Sequence, residues 1–505
     1  MAKLSEFYSE PPQIVDSLWT LFDQSAKAHP NNIAVTVMHQ PADHLADLKP
    51  DSSQQTDPRC LHWTYADLQH ASLRLAAGFQ QQGVQRGTTM TTFISNDIEC
   101  VLLLWVSTIL QLTLTPLDPR LLDEGREEQL RDYLRRLGPT VAVVPDESGG
   151  KRVDEAAAAV DVKLTLRLSL TGSDAGAWPE LSTVAPTSFD PTTLVQDPSL
   201  DANGTRIAAI YFTSGTSTGK PKGCPRNVRN LLSCTAGEFG YPDPPSRTII
   251  HTPNSGTICQ AFLFVFGSTG KEVIFPAPSF SPAGALDAIE QFGAEMMVAI
   301  PVMSRMFEAE MGVRKRDVSG LKHMVLGGDM VTVDAREKFK ALFPQARVGT
   351  GHGMSEGHSM IGWRGFGIPS SYPEHYGMLA AGYPMQGTLL RICDEEGKVV
   401  PRGEAGELQL GGPCVIDHYL EDAQPEAFYG DDRGTWMLTG DRALMDDEGV
   451  IFIIGRNKDI IKKVGLALSP AVAESVLNSL EGVEVSGSVQ MLTWNRPNLI
   501  FSRHL

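Results

Sequence analysis

The segment YFTSGTSTGKPKG, Tyr211–Gly223, gathers hydroxyl residues, glycines and two lysines into one short loop. Glycines at 215, 219 and 223 let the backbone take positive φ and approach an anion closely. Successive backbone N–H groups can form an anion-binding concavity. Thr213, Ser214, Thr216, Ser217 and Thr218 add hydroxyl donors, and Lys220 and Lys222 add positive charge. Such a loop suits a polyphosphate. It is not a Walker A loop: three residues separate Gly215 from Gly219, and Pro221 stands where that motif needs a Ser or Thr hydroxyl. Pro221 also keeps Lys220 out of helical geometry, so the backbone continues extended. A solvated Gly/Ser turn is the competing reading.

Further residues of the same kind follow. VLGGDM holds a glycine turn at Gly327 and Gly328, with Asp329 behind it. GTGHGMSEG brings Gly351, His352, Gly353, Ser355 and Glu356 together. TGD ends in Asp441, and GRNKD carries Arg456 and Lys458. Taken singly, each has an ordinary alternative: Glu356 a solvated loop carboxylate, Asp441 a turn cap, Arg456 a surface ion pair of little worth.

The surrounding pattern is an alternation of short strands and amphipathic helices. SLWTLFDQSAKAHP reads as a helix ended by Pro30, NIAVTVM as a strand, Gln40 to Cys60 as a loop or hairpin tip, and CLHWTY as a second strand. RIAAIYFT places the hydroxyl-rich loop at the C-terminal end of a strand, where ligands bind in α/β sheets. TIIHTP, EVIFP, MMVAIP, HMVLGG and ARVGTG continue the series and favour largely parallel sheets. Glu147 to Ala202 reads as mostly irregular surface with a strand within VKLTLRLSL. From Gly387 the texture becomes short alternating strands with glycine turns, a smaller antiparallel β unit.

The whole-chain numbers set bounds. A chain of 505 residues calls for more than one core. A net charge of −17 argues against nucleic acid or an anionic membrane surface as partner. Seven scattered cysteines without a C-x-x-C argue for a reducing compartment. VLLLWVSTILQLTLTPL is interrupted by Ser, Thr and Gln and reads as a buried helix rather than a membrane span. The start lacks a secretory signal, and the terminal SRHL is a near miss for a peroxisomal address, so a cytoplasmic location is expected.

The loop resembles the phosphate-binding signature of the adenylate-forming superfamily: acyl- and aryl-CoA synthetases, luciferases and peptide-synthetase adenylation domains. Other signatures follow in order: VLGGDM, GTGHGMSEG, GELQLGGPCVIDHYL and WMLTGDRALMDDEGVIFIIGRNKDIIKKVG. The resemblance spans about Ser17 to Leu477. It implies a large N-terminal domain of layered α/β sheets over 1–455, with the β-rich subdomain at about 387–455, then a truncated α+β C-terminal domain over 456–505. It also implies ATP, Mg²⁺ and a thiol acceptor, CoA or a carrier-protein phosphopantetheine, and a small carboxylic acid as substrate. Thr213 to Lys222 would hold the β- and γ-phosphates, Glu356 the Mg²⁺, Asp441 the ribose hydroxyls, and Arg456 the ribose or phosphates. Lys458 aligns with the hinge of the small domain, and Gly465 with a thiol tunnel or, equally, an ordinary turn.

Departures from the family pattern shape the expected substrate site. His352 replaces a tyrosine and offers less stacking area on adenine. Asp329 stands where an alanine is common and either accepts from the adenine amino group or caps a turn. The aromatic wall falls at HTPNSGTICQ, placing Asn254 at the key position with His251 and Ser255 beside it; Asn254 to Gln260, VMSRMF with Met303, and the segment from Gly349 with Gly351 form the expected pocket. A satisfied core histidine is the alternative for His251. Fifty residues follow Gly455, about half the family's C-terminal length, and no lysine follows Lys463 to match the family's late catalytic lysine. Three readings follow: an acyl- or aryl-CoA ligase, an adenylation enzyme loading a carrier protein or serving a pathway enzyme in trans, or a catalytically impaired ATP- or acyl-binding protein.

Overall fold

β-Branched runs separated by amphipathic segments fold as the alternation predicts, into two largely parallel sheets backed by helices. The computed structural model describes residues 3–9, 17–50, 57–173, 176–194, 196–201, 203–213, 220–236, 245–357, 359–363, 367–369, 371–375, 377–463, 466–468, 470, 486–491 and 498–503.

Among these residues one sheet has nine strands, ordered Tyr383–Pro384, Ser359–Gly362, Arg347–Gly353, His323–Leu326, Met296–Ala299, Arg247–Ile249, Glu272–Phe275, Ile33–Val37 and Leu61–Thr64. Its interior pairs are parallel; the outer pairs are antiparallel. A six-stranded sheet runs Leu166–Ser169, Val141–Val144, Thr89–Thr92, Thr113–Pro116, Ile207–Phe212 and Gly223–Asn227, parallel except for the last strand. That antiparallel return brings the chain back across the hydroxyl-rich loop.

Residues of both sheets share one apolar core with three helices, Tyr65–Gln81, Ile98–Ile109 and Thr257–Gly267. All of Ile98–Ile109 is buried, which is why its sequence carries no polar face. Trp105 stacks on Phe22 at 4.1 Å and meets Phe264 edge-on at 5.7 Å. Among the described residues no helix is long and apolar enough to cross a membrane.

The antiparallel unit expected from Gly387 is present: Leu389–Cys393, Ala405–Gly411, Gly434–Met445, Phe428–Asp431 and Ile451–Arg456 form one sheet. It also recruits Glu6–Tyr8, pairing with Leu389–Cys393 across almost the whole chain, which no local pattern signalled. Beyond it, Ile461–Lys463 pairs with Leu466–Leu468, and Ser486–Met491 with Asn498–Arg503. The helix expected at ESVLNSL lies outside the described residues.

The irregular reading of Glu147 to Ala202 needs correction at its start. Glu147–Ala159 is a helix, capped by Asp146, whose carboxylate accepts from the Gly149 N–H at 2.8 Å. Two glycines in its first turn argued against it. A Cβ on Gly150 would lie 2.5 Å from the Trp178 ring, so the packing of that indole requires glycine there. The strand within VKLTLRLSL is present as Leu166–Ser169.

Candidate functional site

The six-stranded sheet presents Thr213 and Lys222 at the mouth of the loop. The Thr213 N–H donates to the Lys222 carbonyl at 2.9 Å, and the Lys222 N–H donates to Thr213 Oγ1 at 3.0 Å. This pair closes the loop base as the last rung of the Ile207–Phe212/Gly223–Asn227 ladder. Lys220 is exposed and Pro221 non-helical, as the proline rule predicts. Arg136 holds the turn from outside, donating to the Pro221 carbonyl at 3.1 Å and pairing with Glu421 at 2.9 Å. Ser214, Gly215, Thr216, Ser217, Thr218 and Gly219 lie outside the described residues, as does Gly465.

Lys222 reaches a tyrosine that the sequence motifs did not single out. Its Nζ lies 3.1 Å from the Tyr419 hydroxyl, 2.8 Å from Gln424 Oε1 and 4.1 Å from the Tyr419 ring centroid. The same hydroxyl donates to Glu356 Oε1 at 2.6 Å. Tyr419 thus bonds both the loop lysine and the motif carboxylate. Burial, and then the charge and hydrogen bond of Glu356, hold its phenol far above the usual tyrosine range, so it stays a neutral donor. A buried tyrosine hydroxyl needs a partner, and Tyr419 at the end of the GELQLGGPCVIDHYL run was the available signal. Glu421, Asp422 and Gln424, just beyond it, all take positive φ, a strained conformation for non-glycine residues.

Glu356 sits in a turn fixed from two sides. The fully buried Arg226 donates to the Gly357 carbonyl at 2.5 Å and the Ser355 carbonyl at 3.4 Å. The Ile416 N–H donates to the Glu356 carbonyl at 2.8 Å. Arg226 belongs to the strand that returns from the phosphate loop, so loop and carboxylate turn are coupled through one side chain. A hard carboxylate oxygen in a half-buried turn beside a phosphate loop fits Mg²⁺. Among the described residues no group of three His, Cys, Asp or Glu side chains forms a fuller metal cage.

A cleft opens between the nine-stranded sheet and the antiparallel unit. It is lined by Gly328, Asp329, Gly351, His352, Gly353, Asp441 and Arg456, among others. Asp441 and Arg456 face each other across two paired strands, with Arg456 Nε 3.0 Å from the buried Asp441 carboxylate. Arg456 also donates to the Thr439 carbonyl at 2.8 Å. His352 Nε2 lies 3.5 Å from Asp441 Oδ2, and neither atom has a hydrogen-bond partner. Burial raises the Asp441 carboxyl, against the opposing pull of His352 and Arg456; burial lowers the His352 imidazole. The result is a neutral imidazole beside a carboxylate with one oxygen open to a donor such as a ribose hydroxyl. Gly328, in the cleft wall, has φ +75°, and a Cβ on the neighbouring Gly327 would sit 2.8 Å from the Gly351 carbonyl. Asp329 is exposed and accepts from the Met330 N–H at 2.7 Å.

A second, apolar cavity adjoins this cleft. Its lining includes Thr252, Pro253, Ile258, Phe262, Val298 and Met354, and it shares Gly328, Gly351, His352 and Gly353 with the cleft. Of the residues expected around the substrate, Gly351 is at this junction and Gly256, Thr257 and Ile258 line the cavity; so does Ser355, expected at the nucleotide. His251, Asn254, Ser255 and Met303 are not among the lining residues. Asn254 spends its amide hydrogens on the Ile94 and Ser95 carbonyls, at 2.8 and 2.6 Å, and pins the segment to a neighbouring loop. His251 is buried edge-on against Phe280 at 4.9 Å. Met303 packs into a core cluster. Lys458 is exposed on the turn after Arg456.

The geometry can be set beside known proteins. A family model described as AMP-binding enzyme matches residues 22–420. An acyl–CoA ligase of Pestalotiopsis microspora is 30% identical over 93% of this chain and 83% of its own length. A 4-coumarate–CoA ligase of Humulus lupulus is 24% identical over 85% of this chain and 77% of its own. Among solved structures, ATP-bound MatB from Rhodopseudomonas palustris superposes with TM-score 0.75 at 21% identity, covering 96% of this chain and 88% of that one.

Proposed function

The chain belongs to the AMP-binding enzyme family, and from that premise we propose that it activates a carboxylic acid with ATP and transfers the acyl group to the thiol of CoA. In the first step a carboxylate oxygen attacks the α-phosphorus, the α–β anhydride bond breaks, and pyrophosphate leaves with the bonding pair. In the second, the CoA thiol loses its proton and attacks the acyl carbon, and AMP departs, leaving a thioester.

The observation that carries this reading is the junction of two unlike cavities at Gly328, Gly351, His352 and Gly353. One is polar and edged by Asp441 and Arg456; the other is apolar. A nucleotide in the first and an acid in the second would meet at the shared residues, which is what the first step requires. Thr213 and Lys222 would bear on the departing phosphates, where charge accumulates. Asp441 would accept the ribose hydroxyls, with Arg456 holding its other oxygen. His352 and the Gly327–Asp329 turn would bound the adenine. Bound Mg²⁺, held by Glu356, would supply charge neutralisation on the phosphates. Tyr419 orients Lys222 and Glu356 towards one point. Lys458, on the turn leaving the Ile451–Arg456 strand, suits a hinge between residues 1–455 and 456–505.

The relatives named as CoA ligases favour CoA over a carrier protein as acceptor. The carrier-loading and catalytically impaired readings draw no support from them. The test is acid-dependent ATP–pyrophosphate exchange, followed by CoA-dependent release of AMP. Exchange with a suitable acid is expected; bound ATP without exchange across a broad acid panel contradicts the proposal.

A further inference from the structure

The geometry points to Arg136 as a positioning residue for the phosphate loop: through Glu421 and the Pro221 carbonyl it fixes where Lys222 stands, and so sets the affinity for ATP. The inference rests on the ATP-dependent activation proposed above.

Arg136 lies in the last turn of the helix Glu127–Leu137, which contributes to no motif of the site. An arginine there ordinarily faces water and complements the helix dipole. Its neighbour Arg135 does so, with 55% of its side chain exposed. Arg136 keeps only 8% exposed, because it turns onto the loop. Its guanidinium lies 5.1 Å from the centre of the Phe212 ring, at the loop entry. It donates to the Pro221 carbonyl at 3.1 Å, at the loop exit. Its Nε donates to Glu421 Oε2 at 2.9 Å, and Asp132 Oδ2 stands 3.6 Å from Nη1. One planar group therefore touches both flanks of the Thr213–Lys222 closure and the turn beyond Tyr419. The forked donors of arginine permit this, and a lysine ammonium does not.

That turn needs holding. Glu421, Asp422 and Gln424 take positive φ, which persists only where the surroundings over-determine it. Three contacts do so, and all are directed at the loop. Glu421 pairs with Arg136, and Gln424 Oε1 accepts from Lys222 Nζ at 2.8 Å. Leu420 packs so closely on Gly223 that a Cβ there would lie 2.9 Å from the Leu420 Cβ. Without Arg136 the strained turn loses its outer anchor, and Lys222 loses the fixed positions of Gln424 and Tyr419. Arg136 lines neither the nucleotide cleft nor the apolar cavity, so its effect reaches a ligand through the loop.

The experiment uses the full chain. It measures ATP–Mg²⁺ affinity by calorimetry, KM for ATP and for the acid in pyrophosphate exchange, and Tm. In Arg136→Ala, ATP should bind about tenfold or more weakly, the effect of losing a hydrogen bond to a charged group. KM for ATP should rise likewise, while KM for the acid is unchanged. Glu421→Ala, at a site with 45% of the side chain exposed, should reproduce most of this loss with little change in Tm. The double variant should add little to Arg136→Ala, since the two share one contact. Arg136→Lys keeps the charge without the fork and should stay nearer to Arg136→Ala than to the native chain. Arg135, which approaches Glu421 at 3.6 Å and does not touch the loop, is the control: Arg135→Ala should bind ATP as the native chain does. Native ATP affinity in Arg136→Ala or in Glu421→Ala overturns the inference, as do equal rises in both KM values or full additivity in the double variant. If Arg136→Ala does not fold, Glu421→Ala decides. A native chain that binds ATP and exchanges no pyrophosphate with any acid fails the activation reading, and the ATP affinities still decide the role of Arg136.

Discussion

Around Lys222 the polar groups are already bonded to one another; around Thr252 they are not. Lys222, Tyr419 and Glu356 form a connected set with contacts of 2.6–3.1 Å. The His251–Gln260 segment holds four buried side-chain oxygens with no partner, on Thr252, Asn254, Thr257 and Gln260. The first region carries charge, and its charged and polar groups are bonded to one another. The second is mainly apolar surface, and its few polar atoms lie buried within it.

That contrast can be broken most forcefully at the charged end. Replacing Lys222 by Ala is expected to lower acid-dependent pyrophosphate exchange by about 10²–10³-fold, the usual effect of losing one transition-state donor. Glu356→Ala should fall in the same range, and normal exchange in either variant contradicts the assignment. Asp441→Asn removes a charged acceptor and leaves Arg456 unpaired. Hydrogen bonds to charged groups contribute about 1.5–3 kcal/mol, so ATP should bind about 10–100-fold more weakly by calorimetry.

Tyr419→Phe sharpens the comparison, because it keeps the ring against Lys222 and deletes only the hydroxyl. A loss of about tenfold in apparent affinity for ATP and Mg²⁺ is expected. In a double-mutant cycle Tyr419→Phe should add little to Lys222→Ala, since the two share one network. Full additivity would mean that Tyr419 merely fills space.

The smallest effect belongs to the unsatisfied end. Burial lowers the His251 imidazole from its ordinary 6.5 to about 4. The unfolded chain therefore takes up the proton first as pH falls, and the native state loses stability from the unfolded value down through the folded one. Between about pH 7 and about pH 5.5 the native chain should lose about 1 kcal/mol that a His251→Leu variant does not lose. Parallel stability curves for the two proteins would show that the imidazole is not held neutral.

Much of this was legible in the sequence where neighbours in the chain are neighbours in space. The strand ending at Phe212 and the glycine turn at Gly327–Gly328 follow from local pattern and motif order. Long-range partners were not legible. Nothing near Lys222 announces Tyr419, and nothing near Ser355 announces Arg226, because each pair meets only once distant strands and turns have packed. Within the expected substrate segment the same limit applies. Asn254 has the polarity of a pocket residue, but its amide faces backbone carbonyls that only the folded chain brings near. Gly256, Thr257 and Ile258 of that segment line the cavity, as does Thr252 just before it. The Glu147–Ala159 helix was hidden because Gly150 answers to Trp178, not to helix propensity.

The most direct test is a crystal structure with a stable acyl-adenylate mimic bound. The account predicts ribose hydroxyls on the Asp441 carboxylate, the base between His352 and the Gly327–Asp329 turn, and the acyl chain running past Gly351 into the cavity beside Thr252. A mimic lodged elsewhere, with the cleft at Asp441 and His352 empty, would contradict it.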